Sequence, residues 1–504
     1  MTGMNRPFAD LLSRLSYGKN NLIRTKESSN GFVEILARVY EKARNALEYR
    51  ADNLVRRAAI ERILKRRVLL NKDPKSLAEN LLTELKWAKY LSLEEVKKAE
   101  KIDLEKILTR YISYLNGGIP QEWVIKIASA EIEELINLNT DYKQFTFFAF
   151  QTIRQKIVLN DDNLDLITYF AVDKVYAGSD DEQVAYHILK LAGEPIPSQE
   201  TFAEAWKLFN LAKHHKDMSR ITKFVRRQMP PLILLRDIYF YEPDKFKNVL
   251  VNGDEFKVKA GEVLKVQLEQ MSGKITTAGA RSVLYVFLTK MILAFGIEVP
   301  FEIFFFGHLN KLPLVLNLIF SPFLMWVTTM QIHLPNKKEK MSLVERTWYL
   351  LQNFDQLKLE EDVLKDAVEE KTQNLLYWIF SVIYGIFFIG VFAAIFFVLG
   401  KIGYTLFSEL IFIFFLTVIA FFAYRISQIA KVYSWKGIGK ESPSFTSIIS
   451  LPILAIGSRL SVGLSKLNFL TFTFDFILEA PFKLIFEVVE EWISFVRKRK
   501  EEII

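Results

Sequence analysis

Residues 375–399 have the sequence LLYWIFSVIYGIFFIGVFAAIFFVL. This stretch of about 25 residues carries no charge, and at about 1.5 Å of rise per residue a helix of this length crosses a hydrocarbon layer about 30 Å thick. Long uncharged runs of this kind are typical of transmembrane helices. The sequence therefore predicts an integral membrane protein.

The second half of the chain contains three further apolar segments of similar length. They are Ser282–Val299, Leu312–Met330 and Tyr404–Tyr424. Together with 375–399 they form two predicted transmembrane hairpins, 273–335 and 374–426. We expect an all-α membrane protein in which a four-span membrane domain follows a soluble N-terminal domain.

Three ionisable residues lie within these candidate spans, and they allow two interpretations. They are Lys290, Glu298 and Glu409. A charge near the bilayer centre costs about 2.5–3.5 kcal/mol, so such residues often mark an ion or proton path. Alternatively, Glu298 lies at the headgroup boundary, Lys290 extends toward it, and Glu409 lies near the outer end of its span. We expect the second arrangement, because four spans line a pore only as an oligomer and paired interrupted spans are not evident.

The orientation of the spans is predicted by the basic residues that flank them. Lysine and arginine collect before the first span, after the second and after the fourth: Lys274, Arg281, Lys337, Lys338, Lys340, Arg346, Arg425, Lys431, Lys436 and Lys440. The short links within the two hairpins carry one lysine each, Lys311 and Lys401. The positive-inside rule then predicts a multi-pass protein of the cell membrane with both termini in the cytoplasm.

Residues 1–245 are predicted to form a cytosolic helical domain with two basic clusters. Its N-terminal residues lack the apolar core of a signal peptide, so we expect the domain to stay on the side where it is made. One cluster ends a predicted helix over 31–70, and the other lies within 207–227. Their members are Arg56, Arg57, Arg62, Lys65, Arg66, Arg67, Lys213, Lys216, Arg220, Lys223, Arg226 and Arg227. Three interpretations of these clusters are open: an ordinary solvated face, a surface that binds anionic lipid or an acidic partner, or a surface that binds nucleic acid.

Helix starts in this domain are marked by capping boxes, in which a hydroxyl and a carboxylate satisfy the first free amides. The pattern occurs at Ser92, Ser179 and Thr201, each followed three residues later by glutamate. These residues are therefore predicted to precede the first turns of three helices.

Residues 246–272 are predicted to form a small β-hairpin. The dipeptide Asn252-Gly253 is typical of a tight turn, and apolar residues such as Phe256, Val258 and Val266 occur at even spacings after it. Two or three strands are too few to be stable alone, so we expect them to pack on the helical domain or at the membrane junction.

Two amphipathic segments complete the predicted organisation. Residues 336–373 are predicted to be a cytoplasmic connector helix between the two hairpins. Residues 427–504 are predicted to be a tail that lies in the cytoplasm or in the headgroup layer. Whether 446–470 and 282–299 span the membrane, re-enter it or lie on it stays open at this stage.

The composition and motifs exclude several kinds of chemistry. The 504 residues include no cysteine, so disulfides, thiolate metal sites and cysteine nucleophiles are absent. His214 and His215 lie between Lys213 and Lys216, whose charges disfavour a metal ion. No phosphate-binding loop, nucleophile elbow or zinc-protease motif occurs. We therefore predict no enzymatic activity, no metal site and no cofactor.

Three functional hypotheses fit this organisation. The leading one is a non-enzymatic membrane-anchored scaffold or adaptor whose helical domain binds a cytosolic protein partner or anionic lipid. The second is an oligomeric channel or transporter gated by the cytosolic domain. The third is a membrane-tethered nucleic-acid-binding protein, which the net charge of +8 permits but no recognised motif supports. The expected partners are thus membrane lipid and a protein or a second copy of this chain, with nucleic acid less favoured.

Overall fold

The computed structural model describes residues 6–15, 54–116, 119–137, 140–191, 198–307, 311–352, 363–365 and 373–435. Nearly all of these residues are helical, which confirms the predicted all-α architecture. They fall into two compact units. The front unit comprises the described residues of 1–253 and 347–366, and the membrane unit comprises those of 254–346 and 367–435.

The front unit is built from short helices. They are α1 Arg6–Arg14, α2 Val55–Leu70, α3 Pro74–Trp87, α4 Leu93–Lys101, α5 Leu104–Asn116, α6 Gln121–Ile136, α7 Thr140–Arg154, α8 Leu164–Val172, α9 Asp181–Leu191, α10 Gln199–Lys213, α11 Met218–Tyr241 and α12 Phe246–Val249. A π-helical turn, Asp173–Ala177, extends α8. Strand β1, Ile157–Val158, pairs in parallel with β2, Leu364–Lys365.

The membrane unit contains most of the longer helices. They are α13 Gly253–Leu293, α14 Val299–Phe306, α15 Lys311–Met330, α16 Lys337–Gln352, α17 Gln373–Ile402 and α18 Leu406–Ala430. A π-helical turn, Ala294–Glu298, joins α13 to α14. The first residue of α13 and the last residues of α16 belong to the front unit.

The core of the front unit lies between α2, α3, α5, α6 and α9. Helix α6 packs against α2, α5 and α9, and α3 packs against α2 and α5. In α3 the buried leucines Leu77, Leu81 and Leu85 recur every four residues and so form one apolar face. Ile127 and Phe202 contribute to the same core and have no solvent exposure. The helical periodicity of the sequence thus accounts for the packing of this unit.

A largely buried imidazole links two acidic residues inside the front unit. Asp173 Oδ2 lies 2.6 Å from His187 Nδ1, and Glu134 Oε2 lies 2.9 Å from Nε2. Burial by itself would lower the pKa of His187, but these two carboxylates raise it to about 10. The imidazole is therefore held as a cation that donates from both nitrogens.

The stability of the front unit is expected to fall as the pH rises from about 6.5 to about 10, the ordinary and the raised pKa of His187. The folded state binds the extra proton in this window, so the contribution is complete below it and is lost across it. Thermal unfolding of the detergent-solubilised chain at a series of pH values measures this slope. His187→Gln should flatten the slope, and equal slopes in the two proteins would contradict the assignment.

The predicted β-hairpin at 246–272 is wrong, because these residues are helical. The buried residues Phe256, Ala260 and Leu264 follow one another at intervals of four, which is a helical spacing. Asn252-Gly253 precedes the first turn of α13 instead of joining two strands. In the part of the chain that the structure describes, strands occur only at β1 and β2.

Four helices in this structure are long and apolar enough to cross a membrane. They lie within Gly253–Phe306, Lys311–Met330, Ser381–Ile402 and Leu406–Ala430. These helices coincide with the four predicted spans and are consistent with a multi-pass membrane protein. Large apolar side chains such as Phe304, Ile386 and Leu406 are exposed on them, as expected for groups that face lipid.

Several predicted segments lie outside the described residues. They include 31–53 of the predicted helix 31–70 and everything beyond residue 435 in the predicted tail 427–504. Helix α16 lies within the predicted connector 336–373, of which 353–362 and 366–372 are outside the described residues. The boundaries of the connector and the tail stay predictions.

Helix α13 lies against α15 at Gly279. A methyl group at this position would collide with Thr329 Cγ2 and would lie 3.2 Å from Thr329 Oγ1. We expect Gly279→Ala to destabilise the membrane unit by about 1–3 kcal/mol, the usual cost of overpacking. Thermal unfolding in detergent measures the loss.

Two variants make this prediction specific. Thr329→Ser removes the obstructing methyl group and should restore most of the stability to the Gly279→Ala chain. Gly261→Ala lies in the same helix, where an added methyl meets nothing within 4 Å, and should be neutral or stabilising. Equal destabilisation by the two glycine substitutions would show that close approach is not the cause.

Candidate functional site

The buried face of α13 changes character along the helix. Apart from the adjacent pair Val263 and Leu264, its buried residues follow intervals of three or four: Phe256, Ala260, Val263, Leu264, Leu268, Met271, Ile275, Gly279, Ser282, Val286 and Lys290. The first part of this face is apolar, whereas Ser282 and Lys290 occupy it within the predicted span. Lys290 has no solvent exposure. The same packing stripe therefore carries a lysine into the interior of the membrane unit.

The π-helical turn after α13 determines which residues face inward next. A regular α-helix would continue the buried face from Lys290 through Ile297 and Phe301, at about 3.6 residues per turn. The π-helical turn accommodates an extra residue, so Glu298 and Glu302 are the buried ones. Ile297 is instead exposed. This local distortion places two carboxylates inside the membrane unit.

Glu298 is held by α15. Asn317 Nδ2 donates to Glu298 Oε1 at 3.1 Å, and Ser321 Oγ donates to the Asn317 carbonyl oxygen at 3.3 Å. Asn317 has no solvent exposure, and its Oδ1 has no hydrogen-bond partner among the described residues. The site therefore retains an unused acceptor next to a buried carboxylate.

Glu302 is held by the first turn of α18. Its Oε1 accepts hydrogen bonds from Thr405 Oγ1 at 3.1 Å and from Ser408 Oγ at 2.7 Å. Thr405 also caps α18, since its hydroxyl oxygen accepts from Ser408 N at 3.2 Å. Glu409, which follows Ser408, is also buried. Its Oε1 lies 3.3 Å from the position that a methyl group on residue 400 would occupy if Gly400 were alanine. Gly400 thus leaves room for this second carboxylate.

Lys290 contrasts with these satisfied carboxylates. Its Nζ lies 4.3 Å from the centroid of the Phe415 ring, which is a cation–π distance. Among the described residues, this nitrogen has no hydrogen-bond partner and no ion pair within 4.0 Å. Glu298 is the acidic group that interacts with it electrostatically. An unpartnered buried ammonium is costly, so its presence calls for a functional explanation.

We call this set of polar residues inside the membrane unit the polar file. Its members are Ser282, Lys290, Glu298, Glu302, Asn317, Ser321, Thr405, Ser408 and Glu409, all of them buried except Thr405, which is partly buried. From Ser282 to Glu302 the helical rise gives roughly 30 Å, about the thickness of the hydrocarbon core. Its ionisable members begin at Lys290, since the buried face of α13 carries only Val286 between Ser282 and Lys290.

The structure places all three predicted intramembrane charges in the polar file. Lys290 and Glu298 are buried within the membrane unit, and their predicted position relative to the headgroup boundary stays a prediction. Sequence reasoning missed Glu302, Asn317, Ser321, Thr405 and Ser408. Glu302 follows the predicted span Ser282–Val299 in the sequence, so it was counted with the link between the first two spans. Asn317 was the available signal, as a buried amide in an otherwise apolar helix.

The first predicted basic cluster is mostly engaged inside the front unit. Arg56 forms ion pairs with Glu95 at 2.7 Å and Glu133 at 2.6 Å. Arg57 is 1% exposed and pairs with Glu61 at 2.7 Å and Asp180 at 2.5 Å. Other members also pair: Lys65 with Glu61 and Glu122, Arg66 and Arg67 with Glu84. Arg62 is partly exposed. Most of the charge on α2 therefore stabilises the fold.

The second predicted basic cluster is largely exposed. Lys213, Lys216, Lys223, Arg226 and Arg227 have exposed side chains, and Arg220 is partly exposed. This cluster, unlike the first, presents positive charge to the surroundings. Its interpretation as a lipid or partner surface stays a prediction.

Comparison of the chain with protein families, curated proteins and solved structures finds no match. The function is therefore inferred from the geometry of the chain itself.

Proposed function

We propose that this protein transfers protons across the membrane, with the polar file as the route. The observation that carries the proposal is the fully buried, unpartnered Lys290 on the same helical face as the buried Glu298. Ionisable residues inside a membrane domain are costly and typically mark transport paths. The proposal develops the predicted channel or transporter, and its support is the set of buried polar groups in the membrane unit.

The chemistry of the file favours a proton over a metal cation. The positive charge of Lys290 repels other cations in a low-dielectric interior, as charged barriers do in selective pores. Lys290 and Glu298 can instead exchange one proton, so that ammonium and carboxylate become amine and carboxylic acid. The neutral pair avoids two separated buried charges. Glu302 and Glu409 would then receive or supply the proton at the far end.

The distance between Lys290 and Glu298 defines what else the mechanism needs. The two residues are eight positions apart, which corresponds to roughly 12 Å of helical rise. This separation is too long for a direct hydrogen bond between them. During transfer, either a water molecule must lie between the two side chains or a change in the π-helical turn must bring them together. The unused Oδ1 of Asn317 offers an acceptor for such a water beside Glu298.

The proposal includes the predicted topology. Both termini face the cytoplasm, so the Glu302 end of the file lies at the outer side, near the links 307–311 and 402–406. Support comes from the lysine and arginine residues that flank the other ends of the spans. The protein acts without covalent chemistry on a substrate.

Proton flux into liposomes tests the proposal. The full chain is reconstituted with an internal pH dye, and a potassium gradient with valinomycin supplies the driving potential. We expect acidification that requires the protein and falls at least about ten-fold in Glu298→Gln. Glu255→Gln, which changes the same charge on the exposed face of the same helix, should retain wild-type flux.

Two results would reject the proposal. One is flux no higher than in protein-free liposomes for folded, correctly inserted wild-type protein. The other is undiminished flux in a Glu298→Gln chain that elutes and unfolds as the wild type does.

A further inference from the structure

The exposed face of α11 carries a line of basic side chains. Lys216, in the turn before the helix, is followed by Arg220, Lys223 and Arg227 at intervals of four, three and four. Such intervals place side chains on one face of a helix, here over about three turns. We call these four residues the basic stripe.

The opposite face of α11 fixes the direction in which the stripe points. Ile221, Phe224, Val225 and Gln228 are buried on that face. The stem of Arg227 lies by Phe224, with its guanidinium 5.9 Å from the ring centroid. Since one side of the helix is anchored in the core, the stripe is held outward on a rigid element.

The stripe carries charge that the fold neutralises only in part. Arg220 lies 4.0 Å from Asp217, a marginal ion pair. In the described part of the chain, Lys216, Lys223 and Arg227 form no ion pair within 4.0 Å. The arginines of α2, by contrast, are paired with carboxylates, as described above. Three of the four stripe residues, Lys216, Lys223 and Arg227, therefore carry positive charge that no ion pair in the described part of the chain neutralises.

We propose that the basic stripe docks the front unit on an anionic lipid surface. The occupant follows from charge complementarity and from covalent connection, because the spans of the same chain keep the front unit beside a bilayer at high effective concentration. Each basic side chain near an anionic leaflet strengthens binding by about five-fold, and the attraction is short-ranged at physiological salt. Docking is independent of proton transfer and adds a second membrane contact to the protein.

A single-site label on the full chain tests docking. The sequence has no cysteine, so Ser219→Cys, on the exposed side between stripe residues, gives one labelling position. The labelled protein is placed in nanodiscs that contain acceptor-labelled headgroups, either purely zwitterionic or mixed with phosphatidylglycerol. We expect fluorescence energy transfer from the label at position 219 to the headgroup acceptors to be higher in the anionic nanodiscs than in the zwitterionic ones. Added salt should lower it again.

A charge-neutralised variant makes the test specific. The combined change Lys216→Gln, Lys223→Gln and Arg227→Gln should weaken docking by about a hundred-fold, since three such contributions multiply. The combined change Lys97→Gln, Lys101→Gln and Lys106→Gln removes three exposed charges elsewhere on the front unit and should leave docking unchanged. Equal energy transfer in both lipid mixtures would overturn the proposal, as would loss of the lipid signal on adding a short DNA duplex at matched ionic strength.

Discussion

Replacing Arg57 by methionine is expected to remove about 3–5 kcal/mol of the stability of the front unit. Arg57 is almost fully buried on α2, and Nη1 donates to Glu61 Oε2 at 2.7 Å and to Ser129 Oγ at 3.1 Å. The guanidinium also lies 2.5 Å from Asp180 and 4.0 Å from Glu182. Its removal leaves several carboxylates close together with too little positive charge to balance them.

The pKa of Glu61 shows how strongly this carboxylate interacts with Arg57. Burial by itself would raise the pKa of Glu61, but the charges of Arg57 and Lys65 lower it to about 2. Without Arg57 the carboxylate must be protonated or remain charged with Lys65 as its main partner, and both outcomes cost free energy.

Hydrogen exchange of the full chain in nanodiscs measures the loss, because it reports the opening of the front unit separately from that of the spans. We expect faster exchange in α2, α6 and α9 of the Arg57→Met chain. Lys106→Met breaks an exposed ion pair with Asp103 and should leave the stability of the front unit nearly unchanged. Similar losses in the two variants would contradict a special role for burial.

The sequence predicted the parts of this fold that depend on long periodic patterns. The four spans were found because their long apolar runs, with few charged residues, are typical of helices that cross a membrane. The hairpin at 246–272 was predicted wrongly because a turn dipeptide was given more weight than periodicity. Phe256, Ala260 and Leu264 already had the spacing of the buried face of α13.

The helix starts show how local competition limits such predictions. At Ser92 the capping box is confirmed, since the Glu95 amide donates to its hydroxyl and the Glu95 carboxylate accepts from the Ser92 amide. At Thr201 the helix begins earlier, because Ser198 provides the cap. The hydroxyl of Ser179 donates to Asp173 instead, at 2.8 Å. A competing cap three residues earlier decided the case of Thr201, and an acceptor six residues earlier decided that of Ser179.

The candidate site was predictable only in part for a similar reason. Lys290, Glu298 and Glu409 are visible as charges within apolar runs, so the sequence singles them out. The contribution of Glu302 depends on the π-helical turn, which rotates the carboxylate inward. No simple sequence pattern reveals such a turn, although Gly296 lies within it and Pro300 follows it.

Lys290→Met is expected to lower proton flux at least about ten-fold while making the membrane unit more stable. Methionine fills a similar volume beside Phe415 without a buried charge, so the thermal unfolding temperature should rise. Flux should fall because the file loses the group that exchanges a proton with Glu298. A gain in stability together with a loss of flux is the pattern expected when a residue is retained for function.

Lys290→Arg distinguishes proton exchange from a purely electrostatic role. Arginine keeps the positive charge and the contact with Phe415, but its guanidinium does not release a proton under ordinary conditions. If Lys290 exchanges its proton, both variants lose proton flux in the liposome assay, and only Lys290→Met loses the barrier to potassium. If Lys290 serves only as a fixed charge, the arginine chain conducts protons as well as the wild type does. Wild-type proton flux in a stably folded Lys290→Arg protein would therefore exclude the exchange step between Lys290 and Glu298.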